Sequence, residues 1–579
     1  SFFVYFGRNF TINILATGTV DLEGSRIDDD SNTGISSFVG EDAVGNAGEI
    51  NLTAESLSLT DSAQINAGVF GSGSGGNINL QTTSQITIAG EDSGVFGNVG
   101  EDAIGETGEL NIVTGLLSLD DDGELNSSTQ GRGNAGTINI DAREVSLINS
   151  EISTEVDEEA EGNAGNITLL VERSLIIADD AELNSSTNGR GNAGNIAIEA
   201  EAINLTMGEI STGVESGAVG NGGNIAIDAR TFSLRDESQI FSSVLGATEE
   251  LPGGRGNGGT IEINASDLVE IVGGNSPGLG TGLFANSGAT AEGNPGSITI
   301  ETDLLSLNRG AIEANNQGQA NGAIADNNNL QTNIFLRSNN LLLNNNARIS
   351  AVTEAGNGGN ADISIREQIQ LRNNSTIAVG SFGDGDGGNI SIDATFIVAF
   401  PVGLLEDGND IIANAGTGMG GNIDVRVDRV FGIEPGLAES GNGRNDFEAS
   451  ARLSIAEETL VNLFERVSLP PASLVDGQLT TAQACRSNRA TATQNSFTLS
   501  GKGGIPPAPD LPLDSQHIIS NDTAASTPTI PPAIVTSQGN IQPARGIKVT
   551  ASGVIMLTAY PTDGARARLP QVQANCGAV

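Results

Sequence analysis

The stretch GNAGNIAIEAEAINLTMGEIST, from Gly191 to Thr212, decides the fold. Ile196 and Ile198 alternate with polar or small residues, then Ile203 and Leu205 do the same, and Ile210 follows before Ser211 and Thr212. Alternation with a period of two marks a strand with one buried face. The segments are too short, and too rich in Gly and Asn at their ends, to be helices. The preceding stretch repeats the pattern with Ile167 and Leu169, Leu175 and Ile177, and Leu183.

The opening phrase Gly-Asn-(Ala/Gly)-Gly-x-Ile-x-Ile recurs along the chain. It starts at Gly45, Gly133, Gly162, Gly191, Gly220, Gly256 and Gly293, with looser copies at Gly73, Gly105, Gly356, Gly385 and Gly418. Successive starts are mostly 28 to 33 residues apart, widening to 36 and 37 around Gly256. The 63-residue gap from Gly293 to Gly356 leaves room for a worn copy near Asn321 to Asn329. A fixed period of this size is the signature of a solenoid. Three short strands per period suggest a triangular coil, stacked as an all-β, right-handed parallel β-helix of about 14 coils. The hand follows the rule for parallel crossover connections. No coil can bury its own apolar face, but a stack can. At roughly 4.8 Å per coil the rod is on the order of 65 Å long. The Gly pairs are expected at corners with positive φ. Asn46, Asn134, Asn163, Asn192, Asn221, Asn257, Asn294 and Asn357 share one motif position, where stacked amides can hydrogen-bond along the axis.

Composition divides the 579 residues in two. Lys and Arg number 26 against 72 Asp and Glu, for a net charge of −46. After residue 450 the balance is nine against eight, so the first 450 residues carry −47. Twelve of the 17 prolines also follow residue 450. The expected organisation is a β-helix over 1–440 and a Pro-rich cap or tail over 441–579. The tail is expected to hold a short helix over Ala456–Val467, extended linkers over Pro506–Pro512 and Pro528–Pro532, and a hairpin within Ile541–Tyr560. So acidic a chain is unsuited to binding nucleic acid or anionic lipid. No apolar run approaches the 18 or so residues of a membrane-spanning helix.

The pattern GNAGNIxIxxxxLxLxxxAxIxxST resembles the filamentous-haemagglutinin type of two-partner-secretion exoprotein, in its cyanobacterial-like form. In the tail, Phe497 to Pro509 (FTLSGKGGIPPAP) is similar to the FxxxGRGGLPPxP segment that often follows such repeats, and Cys485 and the strand-like Ile547 to Thr558 fit the same tail. The resemblance implies a secreted or surface-displayed structural exoprotein, an adhesin exported through an outer-membrane β-barrel transporter. Its ligand is then an extracellular surface or polysaccharide. The family's N-terminal secretion domain is not recognisable from Ser1 onward, so the chain reads as the C-terminal portion of a longer precursor or as a truncated gene product.

Four candidate chemistries follow from the residues. Stacking successive coils aligns Glu124, Glu151, Glu182 and Glu209, followed by Gln239, with Asp121, Asp122, Asp179 and Asp180 nearby. Carboxylates about 5 Å apart repel by roughly 1 kcal/mol per pair even in water. Ca²⁺ would relieve this, making the four Glu a candidate metal ladder in a calcium-dependent cell-envelope or matrix coat component. Asp384 and Asp386 in GDGDGG add a weaker calcium-like phrase. The competing reading is a solvated acidic face that keeps rods apart. A polysaccharide-degrading enzyme is the second candidate, since parallel β-helices often carry carboxylate pairs in a groove. No coil stands out as a cation–carboxylate constellation, and Trp is absent. The third is nucleophilic catalysis, for which His517 is the sole imidazole, in a Pro- and Thr-rich stretch. No nucleophile-elbow phrase accompanies it, so the expectation is that the chain is not an enzyme. The fourth is a disulfide. Cys485 and Cys576 would close a loop of about 90 residues on a secreted protein, worth on the order of 4 kcal/mol, with free thiols as the alternative. The loops Gly246–Gly258 and Asn315–Asn329 depart most from the repeat and are the expected contact sites.

Overall fold

Alternation translates directly into burial. Ile196, Ile198, Ile203, Leu205 and Ile210 are all at most 2% exposed, and so are their counterparts one turn earlier, Ile167, Leu169, Leu175, Ile177 and Leu183. In this computed structural model the described residues are 10–24, 33–274, 280–318, 333–354 and 356–450, with the strands Val461–Glu465, Ile534–Thr536, Gly539–Ile541, Gly546–Val549 and Ile555–Thr558. All regular elements among them are strands.

The strands stack as a parallel β-solenoid of about 13 turns. A typical turn holds one long strand, such as Ile196–Thr206, and one three-residue strand, such as Glu209–Ser211. The long strands build a 17-stranded sheet and the short ones a 15-stranded sheet. The third side is built mostly of single bridges, with one short strand pair, Ser72–Ser74 with Ile104–Glu106. One column of bridges runs Val156, Thr187, Val214, Val244 and a second Glu161, Arg190, Val219, Arg255. Identical positions stack on one another: Ile167, Ile196, Ile225 and Ile261 are in register. Each fully buried Ile or Leu contributes about 1.5–3 kcal/mol relative to exposure. One core runs unbroken from Ile50 to Ala449.

Two expectations about the turn change. The segments Ile196–Ile198 and Ile203–Leu205 are halves of a single long strand. No Gly or Pro separates them, so the ladder continues through a bend. The bend is marked by register shifts, as between Val171 and Ser174, where neighbouring long strands differ in length. The worn turn between Gly293 and Gly356 is present as Asn333–Asn344, paired on one side with Ser297–Asn308 and on the other with Asn360–Leu371.

The corner glycines are required mostly by close approach. Gly191 does have φ +150. At Gly194, however, a Cβ would lie 1.7 Å from the carbonyl oxygen of Gly165 in the turn below. The corner amides form the expected ladder. The Oδ1 of Asn134 accepts from the backbone N–H of Asn163 at 2.9 Å, Asn163 serves Asn192 at 3.0 Å, and Asn192 serves Asn221 at 2.9 Å. A second ladder on the long sheet runs Asn13, Asn51, Asn79, Asn111, Asn139 through side-chain amides at 2.8–3.1 Å.

The chain divides into two units, 1–467 and 468–579. In the first, the parallel sheets continue through Asp446–Glu448 and Val461–Glu465. The helix expected over Ala456–Val467 is therefore not formed: Val461–Glu465 is a strand, parallel to Ile423–Val427. The unpaired edge of Ile423–Val427 offers a ladder of backbone partners, and this tertiary pairing overrides a weak helical period. The second unit contains two antiparallel hairpins, Ile534–Thr536 with Gly539–Ile541 and Gly546–Val549 with Ile555–Thr558. The latter lies within the hairpin expected over Ile541–Tyr560. His517, Cys485, Cys576 and the two Pro-rich stretches lie outside the described residues.

Candidate functional site

The repeat stacks like upon like, so any polar position outside the core becomes a ladder. Glu124, Glu151, Glu182 and Glu209 each open a short strand, and they pair in register, followed by Gln239. All four are half-buried. Burial is the main cause of their raised pKa values, and the neighbouring carboxylates add to it. Glu151, between Glu124 and Glu182, is pushed up to about 7. Glu209, beside Glu182 and Glu215, is pushed up to about 8. Glu124 and Glu182 are raised as well, again chiefly by burial. Glu155, on the same side, is raised to about 8, although its Oε2 accepts hydrogen bonds from Asn184 at 3.1 Å and Asn188 at 3.0 Å. Burial thus pushes Glu151 and Glu209 of this strip up to about 7 and about 8.

The other acidic candidates serve the backbone. Asp121, Asp122, Asp179 and Asp180 have φ between 52 and 67, the left-handed turn joining long strand to short strand. Asp386 stands in the corner amide column: its N–H donates to Asn357 Oδ1 at 3.0 Å and its Oδ1 accepts from Met419 N–H at 2.8 Å. Asp384 accepts from Thr417 Oγ1 at 3.0 Å. Among the described residues, no three His, Cys, Asp or Glu side chains converge to hold a metal ion.

A second feature was not read from the sequence. At the bend of the long strands the inward position carries a small residue in most turns, as at Ala200 and Ala265, which are 6% and 2% exposed, with Val171 and Ile365 as larger exceptions. The residues on either side point outward. The result is an open trough with largely polar walls, interrupted by Leu170. Two stretches of it, of about 670 and about 1120 Å³, share Asp228 and Ala229. One wall is a single register column from Asp141 through Asp228, Glu301 and Arg337 to Asp393, covering nine successive turns. The opposite wall is organised by charge pairing. Arg230 donates to Glu201 at 3.3 Å and to Asp267 at 2.9 Å, and Asn339 donates to Asp303.

Further along, Arg337 and Arg366 lie on successive turns with Glu301, Asp303 and Asp393 in the same trough. Neither guanidinium makes an ion pair among the described residues. The sequence reading finds no coil that presents such a grouping, because the residues come from turns about 30 residues apart. The one signal available was the polar–small–polar triplet at the middle of many long strands, as in Glu199 to Glu201 and Asp228 to Arg230.

Of the two expected contact loops, Gly246–Gly258 is irregular and exposes Leu251, while Pro252 O accepts from Gly217 N–H at 2.7 Å. Asn315 is tied to the next turn, its Oδ1 accepting from Ser350 Oγ at 2.7 Å and Val352 N–H at 2.9 Å. Residues 319–332 lie outside the described part. Among the described residues no helix is long and apolar enough to cross a membrane. No family model, curated protein or solved structure matches the chain.

Proposed function

We propose that the chain is a structural exoprotein, secreted or displayed on a bacterial surface by two-partner secretion, and that it acts as an adhesive rod. The observation that carries this reading is the unbroken register of the solenoid, in which a single core joins turn after turn from Ile50 to Ala449. Such a body gains length and surface by adding turns, which suits presentation better than catalysis. The acidic exterior supports the same reading, since like charge keeps neighbouring rods from pairing edge to edge. The repeat phrase and the FTLSGKGGIPPAP segment supply the link to two-partner export. The partners on this reading are an outer-membrane β-barrel transporter and an extracellular surface or polysaccharide.

The test is protease shaving of intact producing cells, followed by immunodetection of the chain in cells and medium. On this reading the chain is lost from intact cells or found in the medium. A chain recovered whole and only from lysed cells would contradict it. An enzymatic reading has one observation in its favour, Glu301 and Asp303 beside Arg337 in the trough. Release of reducing ends from a polysaccharide by the purified chain would favour that reading.

A further inference from the structure

We propose that the trough along the bend of the long sheet binds an extended polysaccharide chain lying parallel to the solenoid axis. This assignment rests on the surface-rod reading, which brings such polymers within reach.

The first argument is shape. Small-molecule sites are concave and bury most of their ligand. This trough is open along its length and crosses nine turns, on the order of 40 Å. Only a linear polymer fills such a space.

The second argument is the chemistry of the walls. Most turns place two outward polar groups either side of one floor residue: Asn264 and Ser266 flank Ala265, Glu301 and Asp303 flank Thr302, and Ser364 and Arg366 flank Ile365, whereas Leu170 stands on the wall beside Val171. Carboxylates only accept hydrogen bonds, guanidinium groups only donate, and amides and hydroxyls do both. A sugar hydroxyl is donor and acceptor at once, so a wall of mixed character satisfies it. A polyanion would meet the carboxylates of Asp228, Glu262, Glu301 and Asp303. An apolar peptide would find no aromatic anchor among the trough's lining residues.

The third argument is the two guanidinium groups. Several arginines of the solenoid are tied to carboxylates, as Arg173 is to Glu144 and Arg255 to Glu292. Arg337 and Arg366 are not, and both line the trough. They are donors left available, one on each wall.

The experiment is affinity electrophoresis of the full chain through gels containing galactomannan, hydroxyethyl cellulose or alginate. The first two are neutral and the third is a polyuronate. The expected result is retardation by at least one neutral polymer. Asp303→Ala combined with Arg366→Ala removes groups from one wall, and Ala229→Phe fills the floor. Either change is expected to weaken retardation by on the order of tenfold, the first through the loss of one or two hydrogen bonds and the second by blocking the floor. An unchanged thermal melt identifies the variants as folded, and the exposed wall residues make the double variant the safer of the two. Passage of the wild-type chain unretarded through both neutral gels would overturn the assignment. Retardation by alginate alone, or equal retardation of folded variants and wild type, would do the same. Failure of the surface reading appears separately, in the protease-shaving experiment.

Discussion

Thr187 occupies a column in which its neighbours above and below are Val156 and Val214. It is fully buried, and its Oγ1 has no hydrogen-bond partner. A buried hydroxyl without a partner costs roughly 1–3 kcal/mol of desolvation. Thr187→Val should therefore stabilise the solenoid by about 1 kcal/mol, read as a higher denaturation midpoint with an unchanged slope. A lower midpoint would mean that the hydroxyl is satisfied. The Glu ladder makes a pH prediction at the same scale. Glu151 and Glu209 titrate near 7 and near 8 in the folded chain against an ordinary value of 4.5. A raised folded-state value means that the folded chain binds protons which the unfolded chain releases. Stability should then climb as pH falls from about 8 to about 4.5, and these groups add nothing further below that. Glu209→Gln should raise the melting temperature at pH 9 and leave it nearly unchanged at pH 4. An equal effect at both pH values would show that Glu209 titrates normally.

Along each strand the informative residues are those that meet the next turn. Asn192 receives a backbone N–H from Asn221 and gives its own to Asn163. Asn192→Ala leaves the Asn221 N–H without its acceptor and should cost about 1 kcal/mol. Gly194→Ala should cost more, because its Cβ would sit 1.7 Å from the Gly165 oxygen and the two turns would have to part. Chemical denaturation of the two variants checks the order, and a Gly194→Ala cost below that of Asn192→Ala would contradict the close-packed corner. These ladders were legible because the sequence repeats them at one motif position. The bend was less so: Ile196–Ile198 and Ile203–Leu205 look like two strands, yet backbone pairing carries on between them. Val461–Glu465 reads as part of a helix because its partner, Ile423–Val427, is far away in sequence. The left-handed turns held by Asp121 and Asp179 looked like members of an acidic cluster, since φ is invisible in composition. The trough was hidden for a similar reason. Its walls are assembled from one residue per turn, and the spacing between turns varies.

For the whole molecule, charge is the dominant property. A net charge of −46 disfavours association of like rods and is screened by salt. With no three carboxylates converging among the described residues, millimolar Ca²⁺ should leave the melting temperature of the non-reduced chain unchanged within a degree or so. An upward shift of many degrees would instead establish the ladder as a cation site and favour the calcium-dependent coat. On the proposed function, this chain holds its producing cell to a surface. The most direct measurement is attachment under flow to a polysaccharide-coated surface, comparing producing cells with a deletion strain and with the strain complemented by the full chain. Deletion is expected to lower attachment and complementation to restore it. Equal attachment by all three strains would contradict it.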